Sequence, residues 1–196
     1  MKIIYLVRHA QKVSQAGDPE LTALGQEQAY KTGVYLSQFP ITDLVASPLK
    51  RTTQTASEIS KSVQLPLFFD DRLVERMNWD SDTTSYEEFC TEWFKSTHER
   101  GYVPMWGDSS YEVGSRISQL VSELDDDTQT ILVSHGGAIT DYLRNTFGDA
   151  VVAGLIKTFE PYGFDYDYGY CGISKVVLDD QDVAQLEVLH FLDHLA

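Results

Sequence analysis

Ile3-Ile4-Tyr5-Leu6-Val7-Arg8-His9-Ala10 decides how this chain is read. Five apolar, mostly β-favouring residues lead straight into an arginine and a histidine. An unbroken apolar run of that length reads as a strand buried on both faces. Open α/β sheets place their ligand crevice at the carboxyl ends of such strands, which is where Arg8 and His9 fall. Alone, the pair would read as a surface accident at an ordinary strand end. Ile131-Leu132-Val133-Ser134-His135-Gly136-Gly137 answers it with a second buried strand that ends in histidine.

Working outward, Gln11 to Glu20 is polar and broken by Gly17 and Pro19, a loop. Thr22 is a predicted N-cap for a helix to about Phe39, stopped by Pro40. Asp43 to Ala46 reads as a second strand. Ser47-Pro48 then reads as an N-cap followed by proline at the first helical position. That helix is predicted to run to about Val63, with Arg51 in its first turn. Leu65 to Phe69 is a third short strand and Thr130 to Ser134 a fourth. Ala138 to Phe147 is a predicted helix closed by Gly148, and Val151 to Phe159 another, stopped by Pro161. The tyrosine-rich stretch from Tyr162 to Tyr170 is a loop or strand that either meets substrate or covers a sheet end. Ile173 to Leu178 and Gln185 to Phe191 close the chain as strands. The alternation predicts an α/β fold, a mainly parallel central sheet with helices on both faces, in one domain over residues 1–196.

Residues from about 70 to 108 break that rhythm with an aromatic-rich insertion carrying Trp79, Tyr86, Phe89, Trp93 and Phe94. Ser85-x-x-Glu88 and Ser109-x-x-Glu112 are capping-box patterns. They predict helices over Tyr86 to His98 and from Ser109 to about Leu124. The insertion is either a lid over the crevice or a satellite hydrophobic cluster that only packs.

Composition narrows the function classes. Net charge is −15, from 15 Lys and Arg against 30 Asp and Glu. Such a surface repels nucleic acid and anionic membranes, so neither is an expected partner. An anionic ligand must then be held by a local cluster of Arg, His and backbone N–H groups. No apolar run approaches the roughly 20 residues that span a bilayer. Cys90 and Cys171 have no paired spacing and read as neither a disulfide framework nor a metal knuckle. The first strand follows a single lysine, without a signal-peptide pattern. A cytoplasmic location is expected.

The residues at predicted strand ends and adjoining helix starts are Arg8, His9, Arg51, Glu75 and His135. Arginine repels a cation, and zinc prefers His, Cys and carboxylate clusters, so no metal or cofactor is expected. The set suits an anion. Arginine matches phosphate oxygens with bidentate donors and stays charged. The helix starting near Gly137 would aim free N–H groups into the same place. A histidine held against phosphate by arginines either moves protons or attacks phosphorus through its ring nitrogen. Arg8, Arg51 and His135 could stabilise the transferring phosphoryl group without a metal. Glu75 is the candidate to protonate the leaving oxygen and later to activate water.

These residues resemble the histidine phosphatase superfamily, the phosphoglycerate mutase-like fold. Leu6-Val7-Arg8-His9-Ala10 is similar to its signature, which implies His9 as nucleophile. Leu21 to Ala29 resembles its Leu-Thr-x-x-Gly-x-x-Gln-Ala helix, and Ser47 to Ala56 its Ser-Pro-x-x-Arg-x-x-x-Thr-Ala segment. The second match implies Arg51 as a phosphate ligand. Leu73-Val74-Glu75 resembles the segment with the acid/base glutamate. Val133 to Gly137 resembles the second histidine motif, which brings Gly136 and His135 to the substrate. Gln11-Lys12 replaces the usual Glu-Thr, and Gln15 stands where mutase-type members place an asparagine against phosphate. Arginine pairs expected of mutases are missing from the insertion. The resemblance therefore implies a metal-independent phosphatase acting on a small phosphomonoester through phosphohistidine. A phosphoglycerate-type mutase is the alternative enzyme, and a phospholigand-binding module with weak or lost turnover the non-enzymatic one.

Overall fold

The computed structural model describes residues 1–196. The first element, β1 (Lys2–Arg8), lies in the middle of a six-stranded sheet. It is followed by α1 (Ala23–Leu36), β2 (Asp43–Ala46), α2 (Lys50–Val63) and β3 (Phe68–Phe69). Then come α3 (Tyr86–His98), α4 (Ser110–Ser122), β4 (Gln129–Ser134) and α5 (Gly136–Phe147). A hairpin of β5 (Ile156–Phe159) and β6 (Gly163–Tyr166) stands apart from the sheet, which β7 (Ile173–Leu178) and β8 (Ala184–Phe191) complete.

Strand order is β3-β2-β4-β1-β7-β8. β1 to β4 are mutually parallel, and β7 runs against both of its neighbours. The α/β expectation thus holds, with a reversed strand on one side. Side chains on β1 alternate between two cores, as a doubly covered strand requires. Ile4 and Leu6 join Leu132, Ile117, Ile139 and Leu143 beneath α4 and α5. Tyr5 and Val7 join Ile131, Val133, Leu36 and Ile59 beneath α1 and α2. Each such aliphatic side chain contributes about 1.5–3 kcal/mol on burial.

Register sets the site. Arg8 pairs with Ser134 and Ala46 with Val133, so β1, β4 and β2 end nearly level. His9, His135 and Ser47 are therefore the first residues beyond three adjacent parallel strands.

Both capping boxes form: Ser85 accepts from the Glu88 N–H and Ser109 from the Glu112 N–H, with each glutamate reaching back. Thr22 caps α1 through the Gly25 N–H. Two expectations are corrected. Ser47 does not cap α2, because its hydroxyl is taken by His135; the helix starts at Lys50, and the Asp18 carboxylate accepts from the Lys50 N–H at 2.8 and 2.9 Å. Nor is Val151 to Phe159 a helix. A 3₁₀ segment over Asp149–Leu155 gives way to β5, where four residues pair across the hairpin with β6. Ile156, Thr158 and Phe159 are residues that favour strands, and Gly163 to Tyr166 lies close enough in sequence to pair with them. β3 is shorter than expected, two residues instead of five. No helix is long and apolar enough to cross a membrane.

Candidate active site

His9 is buried to 3 % exposure just past the end of β1. Its backbone N–H donates to the Ser134 carbonyl at 2.9 Å, which clamps the turn to β4. Nδ1 lies 2.8 Å from the Ala10 carbonyl. A carbonyl only accepts, so Nδ1 carries the ring proton and Nε2 keeps a bare lone pair. Burial, then the nearby Arg8 and Arg51 charges, hold the ring's pKa well below the usual histidine value. His9 is neutral at neutral pH, as a nucleophile must be.

His135 begins α5, fully buried, with its ring centroid 5.3 Å from that of His9. Arg51 Nε donates to its Nδ1 at 3.2 Å. An arginine cannot accept, so the proton of this ring is on Nε2, 2.9 Å from Ser47 Oγ. Burial and Arg51 also keep His135 neutral. Arg51, 3 % exposed, is further held by Asp18 at 3.5 Å. A histidine and a carboxylate thus aim one guanidinium from behind.

Arg8 is fixed by a different set. Its Nη1 donates to the Tyr168 carbonyl, and its guanidinium carbon stands 4.2 Å from the centre of the Tyr170 ring. It lies against Gly136, where a Cβ would come within 3.3 Å of Arg8 Nε. That Nε is buried without a protein partner.

Glu75 follows the 3₁₀ turn Asp71–Leu73. Its Oε1 accepts from the N–H groups of Arg76 and Ala138, both at 2.8 Å, and Oε2 from Gly137 at 3.1 Å. The carboxyl group therefore caps the amino end of α5, taking up N–H groups that have no partner within the helix. Gly137 lets it in: a Cβ there would meet Glu75 Oε1 and the Trp93 ring at 2.7 Å.

Arg8, His9, Arg51, Glu75, Gly136 and the exposed Gln15 line one cavity of about 630 Å³. His135 stands one layer behind its wall and reaches it through Arg51. No group of three or more His, Cys, Asp or Glu side chains is placed to hold a metal ion.

The sequence pattern of the histidine phosphatase superfamily (branch 1) matches residues 4–184. This chain belongs to the histidine phosphatase superfamily. A curated relative, a probable phosphoglycerate mutase GpmB from Erwinia tasmaniensis, is 30% identical over 153 residues, 69% of this chain and 70% of that protein. Among solved structures, Bacillus stearothermophilus YhfR superposes with a TM-score of 0.77 over the whole of both chains at 19% identity. Entamoeba histolytica phosphoserine phosphatase, solved in complex with phosphoserine, gives 0.72 over both whole chains at 18% identity. At these identities the likeness speaks for the fold, a histidine phosphatase α/β sheet.

Several wall residues of this superfamily member were not among the candidates singled out from sequence. Lys12 lines the cavity, and burial together with Arg51 and Arg8 lowers its pKa, a third cation at the same end. Tyr170, Asp165 and Trp93 also line it. For Lys12 the available signal was a lysine three residues after the candidate nucleophile. Trp93 lay in the insertion read as either a lid or a packing cluster, and Asp165 and Tyr170 in the stretch read as either meeting substrate or covering a sheet end; only the fold returns residues so distant in sequence to the end of β1.

Proposed function

We propose that this histidine phosphatase superfamily member hydrolyses a small phosphomonoester, without a metal, through a phosphohistidine on His9. The observation that carries the reading is the bare Nε2 of a neutral, buried His9 in a cavity lined by Arg8, Arg51 and Lys12. In the first step Nε2 attacks phosphorus, the bond to the ester oxygen breaks, and that oxygen takes a proton from Glu75. Oε2, with the longest of the three N–H contacts, is the oxygen left to carry it. In the second step the ionised Glu75 takes a proton from water as its oxygen attacks phosphorus. The phosphorus–nitrogen bond breaks, inorganic phosphate leaves, and His9 returns to its starting tautomer. Arg8 and Arg51 match charge spread over the equatorial oxygens throughout.

The curated relative is named a mutase and the solved neighbour a phosphatase that binds phosphoserine. Hydrolysis is favoured here because the wall offers no cation besides Arg8, Lys12 and Arg51 to steady a second anionic group during transfer. The buried, unpaired thiols Cys90 and Cys171 agree with a cytoplasmic setting. The test is hydrolysis of 4-nitrophenyl phosphate in chelator. The His9→Ala variant is expected to lose about a thousandfold or more in kcat, together with the acid-labile phosphoenzyme trapped from wild type. Turnover that survives in His9→Ala would sink the mechanism.

A further inference from the structure

The cavity is far larger than a phosphate, and its two halves differ. Its cations, Arg8, Lys12 and Arg51, come from the end of β1, the loop after it and the start of α2. Much of the remaining wall is aromatic. Tyr86, Phe89, Trp93 and Phe94 fall at i, i+3, i+7 and i+8 of α3, one helix face, and all line the cavity. Trp79, Tyr86, Phe89 and Trp93 form a continuous row with ring centroids 5.0, 6.5 and 6.0 Å apart.

This row is more than a satellite core. Tyr86 is 56 % exposed and Phe159, on the hairpin, 42 % exposed. Large rings left open to solvent in a concave wall are surfaces waiting to be covered. A second anion would find no counter-charge there. The next arginine, Arg76, is sealed beneath Trp93, 4.3 Å from its ring, and is bonded to Thr97 and Asp141. The remaining charged wall groups are carboxylates: Glu75, Asp165, which accepts from Trp93 Nε1 and the Tyr166 N–H, and Asp167, which pairs with Lys157.

The geometry points to a substrate class, a phosphomonoester whose leaving group is aromatic or otherwise flat and apolar and carries no second negative charge. This inference rests on the phosphatase reading above. The phosphate takes the cationic end, and the leaving group lies along the ring row of α3. Phosphoglycerate-like and phosphoserine-like esters bring a carboxylate to a wall that already holds carboxylates, and are poor substrates.

The test compares two esters that differ in that charge alone, 4-carbamoylphenyl phosphate and 4-carboxyphenyl phosphate, with 3-phosphoglycerate as a third. The neutral ester is expected to exceed the carboxylate by at least about tenfold in kcat/KM, and 3-phosphoglycerate by more. In Phe89→Arg, which places a cation among the rings, the gap between the matched esters should close by about tenfold. Equal kcat/KM for the matched pair in wild type, or better turnover of 3-phosphoglycerate, would overturn the substrate class and leave the phosphatase reading standing. No turnover of any ester, with no phosphoenzyme, would overturn both.

Discussion

His135 keeps no ring nitrogen for a ligand. Its Nδ1 accepts from Arg51 and its Nε2 donates to Ser47, so in the proposed reaction it would act on phosphate through the arginine that it orients. Arg51 fixes this tautomer, and Ser47, fully buried, accepts the Nε2–H that it leaves. Ser47→Ala removes the only acceptor of the Nε2–H and leaves a buried donor unpaired. The expected cost is about 1–3 kcal/mol, read from urea midpoints, together with a fall in kcat as Arg51 loses its backing. A variant as stable and active as wild type would show that His135 can turn to another partner. The histidines and arginines could be singled out from sequence because apolar strands led into them. The supporting hydroxyl could not. Ser47 before proline has the local look of a helix cap, and only the parallel register of β2 and β4 brings it beside His135.

Among the elements, α5 is the one whose start holds the proposed acid. Its first N–H groups hold Glu75, and Trp93 from α3 closes against Gly137. A methyl at that position meets the carboxylate and the indole together. Gly137→Ala is expected to fold, yet to lose on the order of 10²-fold in kcat through displacement of Glu75. Steady-state kinetics beside a melting curve would separate that loss from unfolding, and unchanged kcat would contradict the placement of Glu75. Local capping signals were readable in α3 and α4 because a capping box lies within four residues of chain. The start of α2 was not readable, since its cap is Asp18, 32 residues away in sequence.

At the scale of the molecule, two buried neutral histidines make stability depend on pH. Folding holds the pKa values of His9 and His135 well below 6.5, chiefly by burial. The unfolded chain therefore binds more protons once pH falls below that value, and stability drops as pH falls. Each contributes up to about 1.4 kcal/mol per pH unit in that window. Asp141, raised by burial to about 6, works the other way, because its folded form binds the proton first between about 4 and 6. His190 and His194, the latter lowered to about 4, act with His9 and His135, and these four histidines outweigh the two raised carboxyls, Asp141 and Asp165. Urea midpoints are expected to fall between pH 7 and pH 5, and less steeply in His135→Gln. A midpoint that rises on acidification would show these rings to be protonated in the folded chain.

The sequence by itself determined the α/β class, the catalytic candidates Arg8, His9, Arg51, Glu75 and His135, and the net negative charge. Each of these rests on local information: apolar runs that must be buried, the charged or titratable residues that end them, and the sum of ionisable groups. Tertiary structure alone decided which of those residues face the cavity, with His135 behind Arg51 and Lys12 among the cations. It also decided that the rings of α3 line the site. Arg8 bonds to Tyr168 across 160 positions of sequence. Such a contact follows from how β1 and the segment before β7 come together in space, and no periodicity along the chain records it.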